Sequence, residues 1–432
     1  MLIRIRGGHV IDPGNHDGLR DIIIKEDKIL KVIDPAHPAG APGSGESIFY
    51  DQEIDATGKM VIPGLIDMHV HLREPGHEYK ETIQTGCMAA AAGGFTAVCA
   101  MPNTHPVNDC SQITAYIIAK AREAGFSRVY PVGAISPGLK GEGLSEYGEL
   151  KSAGAVAISD DGKPVVNSQL MRRALEYSRR FGLIVISHCE DPYLSADGAM
   201  NEGVVATRLG LTGAPNAAES IMVMRDIALC ELTGSPLHIA HVSTAESVRV
   251  IREAKKRGAF VTAETAPHYF TLTEEAVTAY NTHAKMNPPL RTEKDREAIL
   301  EGLADGTIDV IATDHAPHAI LEKSMEFDKA PNGIVGLETS LPLSLDLVKK
   351  GVLSYTALIE KMAINPARLI GIKNALVAGN TADITIIDPE AHFVVEPSLF
   401  RSRSRNTPFA GWSLTGRAFL TMVGGKIVHR LL

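Results

Sequence analysis

The strongest constraint on the fold is a series of eight short apolar segments whose polar residues collect at one end. They are LIDMHVH (65–71), FTAVCAMP (95–102), RVYPVGAI (128–135), GAVAISDD (154–161), LIVISHC (183–189), PLHIAHV (236–242), AFVTAE (259–264) and TIDVIATDH (307–315). Near-continuous apolar runs of this length suit strands buried on both faces, the setting of a parallel sheet. Between them lie stretches such as MRRALEYSRRFG and STAESVRVIREAKKRG, which have helical spacing and stop at glycine. Helices are predicted near 79–92 and 111–124. Eight strands is the count of a closed barrel, so a TIM-like (β/α)8 barrel is the expected fold. Pattern alone leaves a doubly wound open sheet as the rival. No glycine-rich nucleotide loop supports that rival, since AAAGGFTA precedes its strand instead of following it.

Both ends of the chain read differently. Residues 1–58 carry short alternating strands, with a hairpin centred on Glu26 and Asp27, and the Pro/Gly-rich tract 35–47 reads as a surface loop. From about 375, ADITIIDP, HFVVEP and GRAFLTMVGGKIVHRL again have strand character. Left apart, these fragments would expose strand edges. The expectation is therefore a small β-sandwich domain composed of 1–58 and 375–432, with a catalytic barrel over 59–374.

Composition narrows the partners. With 43 Lys plus Arg against 51 Asp plus Glu, the net charge of -8 gives no support to a nucleic-acid surface. Five irregularly spaced cysteines read as reduced thiols, not a disulfide framework. The N-terminal residues do not resemble a signal peptide, and no apolar run reaches the ~18 residues of a membrane span. A cytoplasmic protein with no membrane partner is expected.

The chemistry lies at the strand ends. His69 and His71 end the first segment two residues apart, so both side chains can point the same way. Asp160 and Asp161 end the fourth, His188 the fifth, His241 the sixth, and Asp314 with His315 the eighth. Barrel closure would bring these distant groups to one rim. A single histidine there is more often a packed hydrogen-bonding residue than a ligand, and an aspartate before glycine more often a turn cap. Five strand ends bearing the same metal-binding residue types fit those readings poorly. Imidazole and carboxylate donors suit zinc, with manganese, cobalt or iron also compatible.

This order of ligands resembles the amidohydrolase superfamily. Within it, HVHLREPG (69–76), MPNT (101–104), SDDG (159–162), HCED (188–191), HVST (241–244), MNPPLR (286–291) and ATDHAPH (312–318) are similar to dihydroorotases of the long bacterial type. The resemblance runs on through NPARLIGI (365–372) and GNTADITIID (379–388). It implies one or two Zn(2+) per subunit: His69, His71 and Asp314 on the first, His188 and His241 on the second, and Asp161 spanning the pair. Many superfamily members bridge their metals with a carboxylated lysine; here AISDDGK occupies that place, and Asp161, not Asp160 or Lys163, matches the family position.

The implied reaction is reversible cyclisation of N-carbamoyl-L-aspartate to (S)-dihydroorotate plus water, in pyrimidine (UMP) biosynthesis. The metal activates a water and polarises the amide carbonyl, and Asp314 is the implied general acid/base. Arg73, Asn103 and His318 are the implied contacts to a substrate carboxylate. Asn287 would read the ring amide, and the backbone amides of Asn332 and Gly333 would face the ring. The family commonly has Phe where this chain has Asn332. Close relatives to be distinguished are hydantoinases and allantoinases. The non-enzyme alternative is a structural partner of aspartate carbamoyltransferase, although such proteins typically lose the histidines kept here. A homodimer or a complex with that transferase is compatible with the resemblance.

Overall fold

The computed structural model describes residues 1–34 and 49–431. The loop read over 35–47 therefore lies outside the described residues. Five strands open the chain: β1 (Leu2–Asp12), β2 (His16–Lys25), β3 (Lys28–Ile33), β4 (Gln52–Asp55) and β5 (Met60–Pro63). The next are β6 (Leu65–Val70), β7 (Phe95–Ala100), β8 (Arg128–Ala134), β9 (Ala157–Ser159) and β10 (Ile184–Ser187). A two-stranded ribbon, β11 (Met200–Asn201) and β12 (Gly213–Ala214), precedes β13 (Leu237–Ile239), β14 (Val261–Thr265) and β15 (Val310–Ile311). The chain ends with β16 (Ile384–Val394), β17 (Ser413–Val423) and β18 (Lys426–Arg430).

The eight predicted apolar segments form one parallel sheet, β6-β7-β8-β9-β10-β13-β14-β15. Its first and last strands meet: Val70 bridges His315 in parallel, and His71 N–H donates to His315 O at 2.8 Å. The sheet is therefore a near-closed TIM-like barrel, and the open-sheet alternative is excluded. Several ladders are shorter than the apolar runs that predicted them. β9 stops at Ser159 and β15 at Ile311, because beyond these points the backbone turns to present side chains at the rim. The predicted helix near 79–92 begins only at Ile83: Thr82 caps it, its hydroxyl oxygen accepting from Thr85 N–H and its own N–H donating to the Thr85 hydroxyl oxygen. The helix predicted over 111–124 occupies Ser111–Ala124.

The terminal strands join as expected, in one mixed sheet of order β18-β17-β16-β5-β1-β2-β3, with β4 also pairing with β1. β5 lies past residue 58 yet pairs with β1 and β16, so this sheet's share of the chain reaches Pro63. Ile3, Ile24 and Ile29 from one side of that order and Ile386, Leu420 and Met422 from the other share one buried cluster. The sheet thus closes over its own core, each fully buried side chain contributing about 1.5–3 kcal/mol. No described helix is long and apolar enough to cross a membrane.

At the barrel seam, Asp67 is fully buried, and its Oδ1 accepts from the backbone N–H groups of His69 and Thr313, both at 3.1 Å. One carboxyl thus ties β6 to the segment after β15. Asp67→Ala would orphan two buried donors and should cost on the order of 2–4 kcal/mol. Asp67→Asn, whose amide oxygen can still accept, should cost much less, as read by denaturant unfolding.

Candidate metal centre and active site

The rim of the barrel gathers the expected ligands. Asp161 lies at its centre: Oδ1 is 3.2 Å from His69 Nε2, 3.6 Å from His188 Nδ1 and 3.5 Å from His241 Nε2, and Oδ2 is 3.5 Å from His71 Nε2. Two buried groups with metal-ligand spacing result, His69–His71–Asp161 and Asp161–His188–His241. Asp314 Oδ1 joins the first, 3.0 Å from His71 Nε2 and 3.7 Å from His69 Nε2. His188 Nδ1 and His241 Nε2 lie 2.8 Å apart.

The donor set fits divalent ions. His69 Nε2 and Asp161 Oδ1 are buried without a hydrogen-bond partner among the described residues, an arrangement that is costly unless positive charge lies between them. Burial opposes ionisation of Asp161, but the His69 charge and the His188 and His241 rings hold its carboxyl well below the ordinary range. Burial likewise opposes the His69 charge, yet Asp161 and Glu264 raise that ring well above an ordinary imidazole. Nitrogen and carboxylate donors of this kind are those zinc takes.

The distal ring nitrogens have partners that fix three of the four rings. His69 Nδ1 lies 2.6 Å from Glu264 Oε1, His71 Nδ1 2.8 Å from Asn103 Oδ1, and His188 Nε2 2.8 Å from Glu190 Oε2. Burial pushes the Glu190 carboxyl up, but the hydrogen bond and charge of His188 bring it down to about 2. Glu264 and Glu190 were not assigned from sequence. Glu264 is the one charged residue of its strand segment, and Glu190 follows His188 in HCED; those were the available signals.

Strain marks the same positions. Arg73, His241 and Asp314 have φ of 64°, 34° and 48°, values a side chain rarely adopts without surrounding support. These turns lift the backbone off the ladder and aim the side chains inward. Asp160 and His315 point elsewhere. Asp160 accepts from Ser136 N–H at 3.0 Å, and His315 contacts Glu81 at 3.3 Å and accepts from Gly336 N–H at 3.1 Å. Lys163 is exposed.

A cavity of about 240 Å³ opens over the ligands. Arg73, Asn103, Asn287, His318, Asn332 and Gly333 all line it, together with His71, Asp161, His188, His241 and Asp314. Arg73 does not pair with Glu74, which instead accepts from Ile83 N–H and the Tyr116 hydroxyl. Its Nε donates to Pro317 O at 3.1 Å. His318 Nε2 donates to Asn332 O at 2.7 Å, while Nδ1 faces Lys80 Nζ at 3.3 Å. Burial, then the charges of Arg73 and Lys80, push its pKa down to about 2, so the ring is neutral. Asn287 Nδ2 donates to Glu190 at 2.9 Å. Gly333 N–H is engaged by Lys285 O at 3.0 Å, which leaves the Asn332 amide as the freer of the two backbone groups proposed to face a ring.

A (β/α)8 barrel with this donor set at its C-terminal rim defines a metal-binding amidohydrolase. Residues 58–247 match the family described as Dihydro-orotase-like. The dihydroorotase of Desulforapulum autotrophicum is 60% identical over 430 residues, covering 100% of this chain and 99% of that protein. That of Geobacter metallireducens is 57% identical over 432 residues, covering 100% of each. Among solved structures, the L-hydantoinase (dihydropyrimidinase) of Arthrobacter aurescens has a TM-score of 0.87 at 27% identity, covering 99% of this chain and 96% of that one. The chain belongs to the dihydroorotase family, and its activity is of that type, a cyclic amidohydrolase reaction.

Asp161 belongs to both candidate ligand groups, and that placement is open to a direct test. After dialysis, Asp161→Ala should lose metal from both positions in elemental analysis, whereas Asp160→Ala should keep the wild-type metal content.

Proposed function

We propose that this chain catalyses the reversible ring closure of N-carbamoyl-L-aspartate to (S)-dihydroorotate, a step of pyrimidine biosynthesis in the cytoplasm. The observation that carries this reading is the cavity in which Arg73 and Asn103 stand beside the Asp161-centred ligand cluster. Zinc, one or two ions per subunit, is held in this reading by His69, His71 and Asp314 and by His188 and His241, with Asp161 between. When bound, it supplies Lewis acidity toward the amide carbonyl and makes a water acidic enough to react near neutral pH.

The protein's own groups do the rest. Arg73 offers a planar, permanently charged fork for the substrate carboxylate. The Asn103 oxygen is committed to His71, so its amide N–H groups are the ones free for the substrate. His318, neutral and bonded to Asn332 O, forms the wall next to Arg73 and adds no charge competing for that carboxylate. Asn287, held by Glu190, faces the ring amide.

Asp314 moves the proton. Burial raises its pKa, but the hydrogen bond from His71 and the His69 charge keep it below the ordinary carboxylate range, so it is ionised and able to accept. In ring opening it takes a proton from the attacking water and delivers it to the leaving ring nitrogen. In closure it takes the ureido proton and delivers it to the departing hydroxyl. One transition state serves both directions.

The rival readings part company on the carboxylate. A hydantoinase or allantoinase has no need of Arg73 in this place, and a non-catalytic partner of aspartate carbamoyltransferase has no need of a complete ligand set. The purified, metal-loaded protein should turn over dihydroorotate well and hydantoin and allantoin poorly; the reverse order would overturn the assignment. Arg73→Leu should raise KM for dihydroorotate by about 10–100-fold, the worth of a charge-assisted contact. Asp314→Asn should lower kcat by about 10²–10⁴-fold while part of the metal stays bound, as read by steady-state kinetics beside elemental analysis.

A further inference from the structure

Below the ligand cluster, the barrel interior holds a line of buried polar groups that the reaction itself does not use. His238 in β13 and Glu264 in β14 lie on neighbouring parallel strands, with His238 in register with Thr262. Glu264 Oε1 meets His69 Nδ1 at 2.6 Å, and its Oε2 meets His238 Nε2 at 3.2 Å. His238 Nδ1 lies 2.8 Å from Thr262 Oγ1. His69 and His238 are 0% exposed and Glu264 is 1% exposed.

The chemistry of this line is directional. A carboxylate only accepts, so His69 Nδ1 and His238 Nε2 must both carry hydrogens toward Glu264. With each oxygen held by a different ring, the carboxylate cannot rotate. With Nδ1 turned to Glu264, Nε2 is the nitrogen His69 would offer an ion, and it faces Asp161. The contrast with the neighbouring ring is chemical: the acceptor on His71 is a neutral amide, whereas His69 faces an anion. A charged acceptor raises the basicity of the opposite ring nitrogen more than an amide does.

We propose that Glu264, braced by His238, is a positioning residue of the metal centre, fixing the tautomer and orientation of His69 and strengthening it as a donor. This inference rests on the metal reading above. Glu264 is not among the residues lining the cavity, so its removal reaches the metal site through His69.

The test is a metal titration. Metal-free wild type, Glu264→Gln and His238→Gln are titrated with Co(II) against a competing chelator while the visible absorption of bound cobalt is recorded. Affinity should fall about 10–100-fold in Glu264→Gln, with altered absorption bands, and by a smaller factor in His238→Gln. At limiting metal kcat should fall with KM unchanged, and excess metal should restore part of the loss. Wild-type affinity and spectrum in Glu264→Gln would overturn the proposal while leaving the metal reading intact; a wild type that binds no cobalt would overturn both. If circular dichroism shows that Glu264→Gln does not fold, His238→Gln decides, and unchanged affinity there removes the brace and the proposal with it.

Discussion

Everything at the barrel mouth is organised around one buried anion. The Asp161 carboxylate stands within 3.2 to 3.6 Å of four imidazole nitrogens and is largely buried at the base of the cavity, where little water reaches it. A charge so placed is tolerated only where compensating positive charge is built in. Three strand ends carry the four rings, and three of those rings have an acceptor behind them. The left-handed backbone at His241 and Asp314 brings their side chains into range. Remove the anion and these arrangements have nothing to converge on.

Much of this was legible in the sequence because the barrel converts strand order into spatial proximity. The apolar runs marked the strands, and the polar residues at their ends marked the six side chains that converge at the rim. Asp160 and Asp161 could not be separated by spacing; only the match to a family pattern favoured Asp161, and the geometry agrees, since Asp160 is spent on Ser136. What stayed hidden depends on contacts between strands far apart in sequence. Glu264 behind His69 and Asn103 behind His71 are such contacts, whereas Glu190 behind His188 is local, two residues on, and its spacing does not show that it turns back onto the ring. The late start of the first barrel helix was hidden for a local reason: a threonine cap carries less pattern than the apolar residues around it.

In the proposed reaction, chemical discrimination falls to Arg73, on a wall of the same cavity that the candidate metal ligands line. This backbone is shared with hydantoinases at a TM-score of 0.87, so overall shape does not choose the substrate. Arg73, held out of the ladder by its left-handed conformation and anchored to Pro317 O, is the feature that would select an acidic ring. Lys80 supports that wall from behind, bonded to Glu322 at 2.8 Å and facing His318. The result is a positive flank facing an anionic centre, with the neutral His318 packed beside Arg73 and Lys80.

The seam between the first and last barrel strands has a thermodynamic consequence. It is a narrow junction, a single bridge at Val70 and His315 reinforced by the Asp67 carboxyl. His69 and His71 come from one side of it and Asp314 from the other, so an ion held by all three, as proposed, would act as a rivet across the join. Ligands that bind only the closed form stabilise it in proportion to the logarithm of their concentration. Under that ligand assignment, cofactor supply and the integrity of the scaffold would be coupled: a cell short of the ion would hold a looser barrel as well as a slower catalyst.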